Sequence, residues 1–180
     1  MGVGRGLLLL TRGHKGGAVA GGLSAPHCPL RDNSPRGYLW DRKRGDVGLP
    51  ELWEFEGKWQ IRRRIEDALS GQEGRFSGIA QFERDDLGLR YSERGVLEMG
   101  GVSMEAERAY SWRSGANGIE VYFDDGRFFH RIDESSEAAH WCDPDQYDVI
   151  YEFAGWPKWS AQWRVSGPRK DYVMVSEYAR

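Results

Sequence analysis

The chain has 180 residues and a formal net charge of −3, and this length suits one domain plus an appendage. The mildly acidic balance argues against nucleic-acid binding through a basic face, and no run of about 18 apolar residues could cross a membrane as a helix. The two cysteines, Cys28 and Cys142, are too few for a disulfide framework, so a reducing, cytoplasmic location is predicted.

Residues 1–50 differ in composition from the rest of the chain. They contain 11 of the 24 glycines and eight Lys or Arg residues against three Asp. Hydrophobic periodicity is weak, so we expect a disordered extension here, or a start site assigned too early. The acid-free stretch at 2–22 leaves an organelle transit peptide open, whereas residues 7–10 are too short for the apolar core of a secretory signal. The folded domain is therefore predicted to span residues 51–180.

From Trp53 onward, apolar and polar residues alternate in short segments that are separated by turn residues. Trp59 and Ile61 alternate with Lys58 and Gln60, for example, and similar rows follow at intervals of roughly 8–12 residues. Residues 124–126, Asp-Asp-Gly, form a hairpin signal. A short helix is compatible with residues 64–70, but no segment between strands is long enough for a crossover helix. The pattern predicts an all-β fold, namely a single closed, antiparallel, up-and-down β-barrel of about ten strands.

The first predicted strand carries a motif that resembles a known superfamily. Gly57-Lys58-Trp59 resembles the Gly-x-Trp signature of the calycins, which include the lipocalins and the fatty-acid-binding proteins. In that group the Trp packs at the closed end of the barrel under an Arg near the last strand. The resemblance therefore implies that Arg169 or Arg180 covers Trp59 here.

The chain also resembles a more specific family, a domain of unknown function numbered sixty-three fourteen. The matching stretches are Phe-Glu-Gly-Lys-Trp at 55–59, Gly-Arg-Phe-Phe-His at 126–130, His-Trp-Cys-x-Pro-Asp at 140–145 and Gly-Pro-Arg-Lys-Asp-Tyr at 167–172. The resemblance covers nearly all of residues 53–180. It implies a lipocalin-like barrel and brings no activity with it.

Alternation also places polar side chains on the inward faces of the predicted strands. Arg63 shares a face with Trp59, and His130 lies in one row with Phe128 and Ile132. A charge that faces an apolar interior is costly unless it is paired or solvated, so several such residues indicate a wet or ligand-filled cavity. The candidate ligand-binding residues are Arg63, Glu93, Arg108, Tyr110, Trp112, His130, His140, Tyr151, Trp163, Tyr178 and Arg180.

Structural roles remain open for some of these residues. Arg63 and Glu93 could form a structural ion pair at one end of the barrel. Arg180 could serve only as a lid over Trp59. His130 could be a core histidine that is hydrogen-bonded to a Tyr.

Catalytic and metal-binding motifs are scarce. His130, His140 and Cys142 provide three potential ligands, but a fourth ligand and a paired Cys-x-x-Cys spacing are missing, so a metal site is not predicted. The sequence contains no nucleophile elbow, no His-Glu-x-x-His and no phosphate-binding loop that follows a strand. No cofactor and no specific catalytic residue is therefore predicted.

The predicted function is the binding of a small anionic or amphipathic ligand. Arg63, Arg108 and Arg180 would hold its head group, and aromatic side chains such as Trp112 and Trp163 would contact its body. Two other functions remain open: an enzyme on the same barrel that uses His130 as a general acid or base, and an interaction module that uses the outside of the barrel. No nucleic-acid partner is expected, and the oligomeric state is left open.

Overall fold

The computed structural model describes residues 48–180, so the predicted disorder of the N-terminal extension lies outside the described residues. A 3₁₀ helix, Leu52–Phe55, precedes ten strands. The strands are β1 (Gly57–Asp67), β2 (Gln72–Arg84), β3 (Leu89–Met99), β4 (Val102–Gly115), β5 (Gly118–Phe123), β6 (Phe128–Ile132), β7 (Glu137–Cys142), β8 (Asp145–Glu152), β9 (Trp159–Gly167) and β10 (Lys170–Ala179). No helix within residues 48–180 has the length and apolar composition needed to span a bilayer.

The ten strands form one antiparallel sheet in which neighbours in sequence are neighbours in space. The order is β6-β5-β4-β3-β2-β1-β10-β9-β8-β7, and the pairing of β1 with β10 brings the two halves together. The edge strands β6 and β7 lie side by side, but among the described strands no ladder of hydrogen bonds joins them. This line between β6 and β7 is named the seam. The predicted up-and-down antiparallel barrel is confirmed, and it is nearly closed.

Residues 64–70 do not form the short helix with which the sequence was compatible. Strand β1 continues to Asp67, with Ile65 buried and its two neighbours exposed. The chain then turns, and the Asp67 carboxylate accepts hydrogen bonds from the backbone N–H groups of Leu69 and Ser70 at 2.9 and 3.3 Å. The hydrogen bonds of β1 to its two neighbouring strands, β2 and β10, outweigh the helical propensity of this segment, because propensity is a weak preference that tertiary contacts override.

Aromatic side chains close one end of the barrel. Trp59 is fully buried and donates its indole N–H to the carbonyl oxygen of Phe55 in the 3₁₀ helix, at 2.8 Å. The guanidinium carbon of Arg180 lies 4.1 Å from the centre of a Trp59 ring, and its Nη2 donates to two backbone carbonyl oxygens at 2.7 Å each. Arg180 rather than Arg169 therefore covers Trp59. Kinship with the calycins stays a prediction.

Two glycines let β2 and β3 approach closely near the middle of the barrel. Gly78 pairs with Gly95, and a Cβ atom added at either position would lie 2.2–2.3 Å from a backbone carbonyl oxygen of the other strand. A side chain at Gly95 would also meet the ring of Phe76 at 2.8 Å. That ring lies 5.1 Å from the guanidinium carbon of Arg63, so the glycines leave room for the packing beneath the polar site.

Candidate functional site

The buried polar side chains of the barrel gather in one place. Within residues 48–180, the fully buried polar or charged residues are Arg63, Glu93, His130 and Ser176. They come from four different strands, and Arg108 of β4 joins them with 13% of its side chain exposed. A cavity of about 40 Å³ lies among these strands. Polar groups concentrated in an otherwise apolar interior make this cavity the candidate site.

Glu93 lies between two arginines. Arg63 donates from both terminal nitrogens to the two carboxylate oxygens at 2.7 Å each, and from Nε to the Ser176 hydroxyl at 2.7 Å. Arg108 approaches the same carboxylate from β4, with its Nε 2.8 Å from Oε1. The Tyr91 hydroxyl also donates to Glu93. The ion pair of Arg63 and Glu93 is thus present, and it belongs to a larger cluster.

The cluster carries a net positive charge. Burial alone would raise the pKa of Glu93, but the charges of Arg108 and Arg63 lower it to about 2. Burial would likewise lower the pKa of each arginine, and attraction to Glu93 raises both values instead. All three groups are therefore ionised at neutral pH, so two guanidinium groups share one carboxylate.

His130 contributes a neutral polar group to the same cavity. Its Nε2 lies 2.8 Å from the Tyr151 hydroxyl oxygen. Burial, with a smaller contribution from His140, lowers the pKa of His130 to about 3, so the ring is uncharged at pH 7. Burial also raises the pKa of Tyr151 and keeps its hydroxyl protonated.

Three buried polar atoms at the cavity have no hydrogen-bond partner in the described part of the chain: Arg108 Nε, His130 Nδ1 and Trp159 Nε1. The ion-pair contact of Arg108 with Glu93 is short, but its N–H is not directed at the carboxylate oxygen. A buried polar group without a partner costs about 1–3 kcal/mol, and such groups are uncommon. Three such atoms at one cavity are able to bond a polar molecule or ordered water.

The cavity wall contains nine of the eleven predicted ligand-binding residues: Arg63, Glu93, Arg108, Tyr110, Trp112, His130, Tyr151, Trp163 and Tyr178. Arg180 is not part of it, because it lies over Trp59 at the closed end, so a role in holding a ligand head group does not fit its position. His140 is also outside the wall. The centre of its ring lies 5.2 Å from the centre of the Phe129 ring, at the seam.

Five further wall residues are absent from the predicted set: Tyr91, Val121, Phe129, Trp159 and Ala161. Alternation within their strands could have identified all of them except Phe129. A register shift between Val121 and Tyr122 forms a bulge, and both Phe129 and His130 are buried while Phe128 is 41% exposed. The predicted inward row of Phe128, His130 and Ile132 was therefore wrong at its first position.

The cavity residues offer charge and hydrogen bonds rather than metal ligands. Within residues 48–180, no group of three or more His, Cys, Asp or Glu side chains is arranged to hold a metal ion. Cys142, at the end of β7, is an exposed free thiol.

Fold and site together define an antiparallel β-barrel with a small, positively charged interior cavity. The comparison with protein families agrees with the sequence motifs, because the model of a family of unknown function, DUF6314, matches residues 55–180. This match covers more than half of the chain, and the chain belongs to that family. A search of curated proteins found no match.

Proposed function

We propose that the barrel binds a small anionic molecule in its central cavity. The observation that carries this proposal is the charge balance of the buried cluster, in which Arg63 and Arg108 share the single carboxylate of Glu93. Arg63 forms the bidentate contact with Glu93, and such a pair is electrically neutral. The charge of Arg108 is left over. Its side chain is 13% exposed, against 3% for Arg63.

The neighbouring polar atoms suit an anion. The indole N–H of Trp159 can only donate a hydrogen bond. When the Tyr151 hydroxyl donates to Nε2 of His130, the ring proton is on Nδ1, and this atom donates as well. An anion beside Arg108 would therefore meet one positive charge and two neutral donors, in an interior where low polarity strengthens each interaction.

Catalysis on the same barrel has one observation in its favour. His130 combines a shifted pKa with an unpartnered ring nitrogen at a cavity, a combination that is typical of functional sites. A general base works best when its pKa is near the operating pH, however, and a pKa of about 3 makes His130 a weak base at pH 7. Ligand binding therefore accounts for the arrangement better than acid–base catalysis does.

Other expectations about partners and location accompany this proposal. We expect no nucleic-acid partner, because the overall charge is acidic. The exposed thiol of Cys142 supports a reducing, cytoplasmic location, since exposed free thiols are prone to oxidation in oxidising compartments.

Tryptophan fluorescence tests the proposal, because Trp112, Trp159 and Trp163 line the cavity. The purified protein is titrated with the sodium salts of formate, nitrate, acetate, benzoate and octanoate, and sodium gluconate, a bulky anion, keeps the ionic strength constant. We expect at least one salt to give a saturable change in tryptophan fluorescence in the natural protein. The same salt should bind Arg108→Gln with an affinity at least tenfold lower.

The matched control is Arg94→Gln. Arg94 lies on the outside of the barrel, where 70% of its side chain is exposed and its Nη2 lies 3.4 Å from Oε2 of Glu105. Its replacement therefore also removes one positive charge but leaves the cavity intact. Binding should be unchanged in this variant. If no salt gives a saturable signal, or if Arg108→Gln binds as well as the natural protein, the proposal is wrong.

A further inference from the structure

We infer that the bound anion is compact and carries a single negative charge, such as a small oxoanion or a short carboxylate. This inference rests on the proposed function and deepens it. It comes from the juxtaposition of the Arg108 charge with a cavity that is too small for an acyl chain or an aromatic ring.

The volume of the cavity limits the size of its occupant. The cavity has a volume of about 40 Å³. Pockets for larger organic ligands are usually 300–1,000 Å³.

The walls of the cavity resist enlargement because their aromatic rings stack on one another. Tyr178 stacks face to face on Trp159 with ring centres 3.7 Å apart, and its hydroxyl lies 3.2 Å from that of Tyr91. On another side, Phe129 and Trp163 stack nearly in parallel with centres 5.3 Å apart. A larger ligand would have to separate such stacks. Tightly packed interiors resist this kind of expansion.

The unpartnered polar atoms lie on several sides of the cavity wall. Arg108 belongs to β4, His130 to β6 and Trp159 to β9, so the unpartnered atoms come from three separated strands of the wall. A tail that points toward any of these strands would cover a polar atom without bonding it, and this carries the cost of an unmet hydrogen bond. A compact anion with acceptor atoms on more than one side avoids this cost.

The charge of the cluster favours a monoanion. Two guanidinium groups and one carboxylate are neutralised by one further negative charge. A dianion would exceed this balance in an interior that screens charge poorly. The sequence predicted an anionic or amphipathic ligand with a body against Trp112 and Trp163. The cavity suits a ligand that consists of little more than its anionic group.

Isothermal titration calorimetry with a size series tests the inference on the full-length protein. The probes are the sodium salts of formate, nitrate, acetate, benzoate and octanoate, again at constant ionic strength. We expect one-to-one binding of at least one of the first three salts, and an affinity at least tenfold lower for benzoate and octanoate.

A variant that fills the cavity provides the second arm. Ala161 lines the cavity and is 3% exposed, and Ala161→Val adds two methyl groups to the wall without changing any charge. We expect this variant to lose the binding of compact anions. If it does not fold, as judged by near-UV circular dichroism, Val121→Ile adds one methyl group at another point of the wall, and we expect an affinity at least threefold lower.

The outcomes separate this inference from the proposed function. If benzoate or octanoate binds more tightly than the compact salts, and Arg108→Gln abolishes that binding, the inference is overturned but the proposed function stands. If the folded cavity-filling variant binds compact anions as well as the natural protein does, the anion lies elsewhere and the inference is overturned. If no salt binds, or Arg108→Gln changes nothing, the proposed function fails and the inference fails with it.

Discussion

Replacing Glu93 by Gln is expected to destabilise the barrel strongly. The change removes the one negative charge of the cluster and leaves the guanidinium groups of Arg63 and Arg108 without a counterion. Arg63 is 3% exposed and forms two 2.7 Å contacts with this carboxylate. Removing one partner of a buried ion pair costs about 3–5 kcal/mol. We expect the free energy of unfolding of Glu93→Gln to fall by about this amount.

Arg108→Met is the matched change at the same cluster. It leaves Arg63 bonded to Glu93 and to Ser176 and removes only the positive charge that we consider to be in excess. Because Glu93 keeps its bidentate partner Arg63, the loss of Arg108 leaves no buried charge without a counterion, and the usual cost of breaking a buried ion pair does not arise. The free energy of unfolding of Arg108→Met should therefore lie within about 1 kcal/mol of that of the natural protein.

Urea unfolding at pH 7, followed by tryptophan fluorescence, measures both changes by linear extrapolation. The reasoning requires a large difference between the two variants. If Arg108→Met also loses about 3 kcal/mol or more, Glu93 depends on both arginines and no positive charge is in excess. The basis for an anionic ligand would then disappear.

Three further expectations concern the closed end, the N-terminal segment and the pH dependence. Trp59→Ala removes a fully buried ring and should lower the free energy of unfolding by about 3–5 kcal/mol; a loss below about 1 kcal/mol in urea unfolding would contradict the packing described. A shortened protein that begins at Leu49 should keep its thermal midpoint, and a decrease of more than about 4–8 °C would show that residues 1–48 contribute to the core. The pKa of His130 is about 3 in the folded state and about 6.5 in the unfolded chain, so the unfolded chain binds the proton first as the pH falls. The free energy of unfolding should therefore decrease below about pH 6.5, by up to about 1.4 kcal/mol per pH unit. His130→Asn should make this decrease shallower between pH 6.5 and 5. An unchanged slope would argue against a buried, neutral His130.

The barrel and much of its interior could be predicted from the sequence because side chains alternate between the two faces of a strand. In β1 the period of two runs without interruption from Trp59 to Ile65, so it places Arg63 inside. The same pattern in β3 and β4 identifies Glu93 and Arg108. A polar residue at an inward position is informative, because it is costly there unless a partner or a ligand meets it.

The finer features of the site depend on relations between strands that alternation does not report. The pairing register sets Glu93 directly opposite Arg108, and the bulge in β5–β6 brings Phe129 into the wall. The volume of the cavity depends on how the rings of Trp159 and Tyr178 stack. No run of residue types encodes these arrangements locally, so the small volume of the cavity could not be predicted from the sequence.

A crystal structure determined in the presence of sodium bromide tests the central claim most directly. Bromide is a compact monoanion, and its anomalous X-ray signal distinguishes it from water. We predict a bromide peak in the central cavity in contact with the guanidinium group of Arg108, and its loss in Arg108→Gln crystals grown in the same way. A cavity that contains only water, with bromide confined to the outer surface of the barrel, would contradict the account.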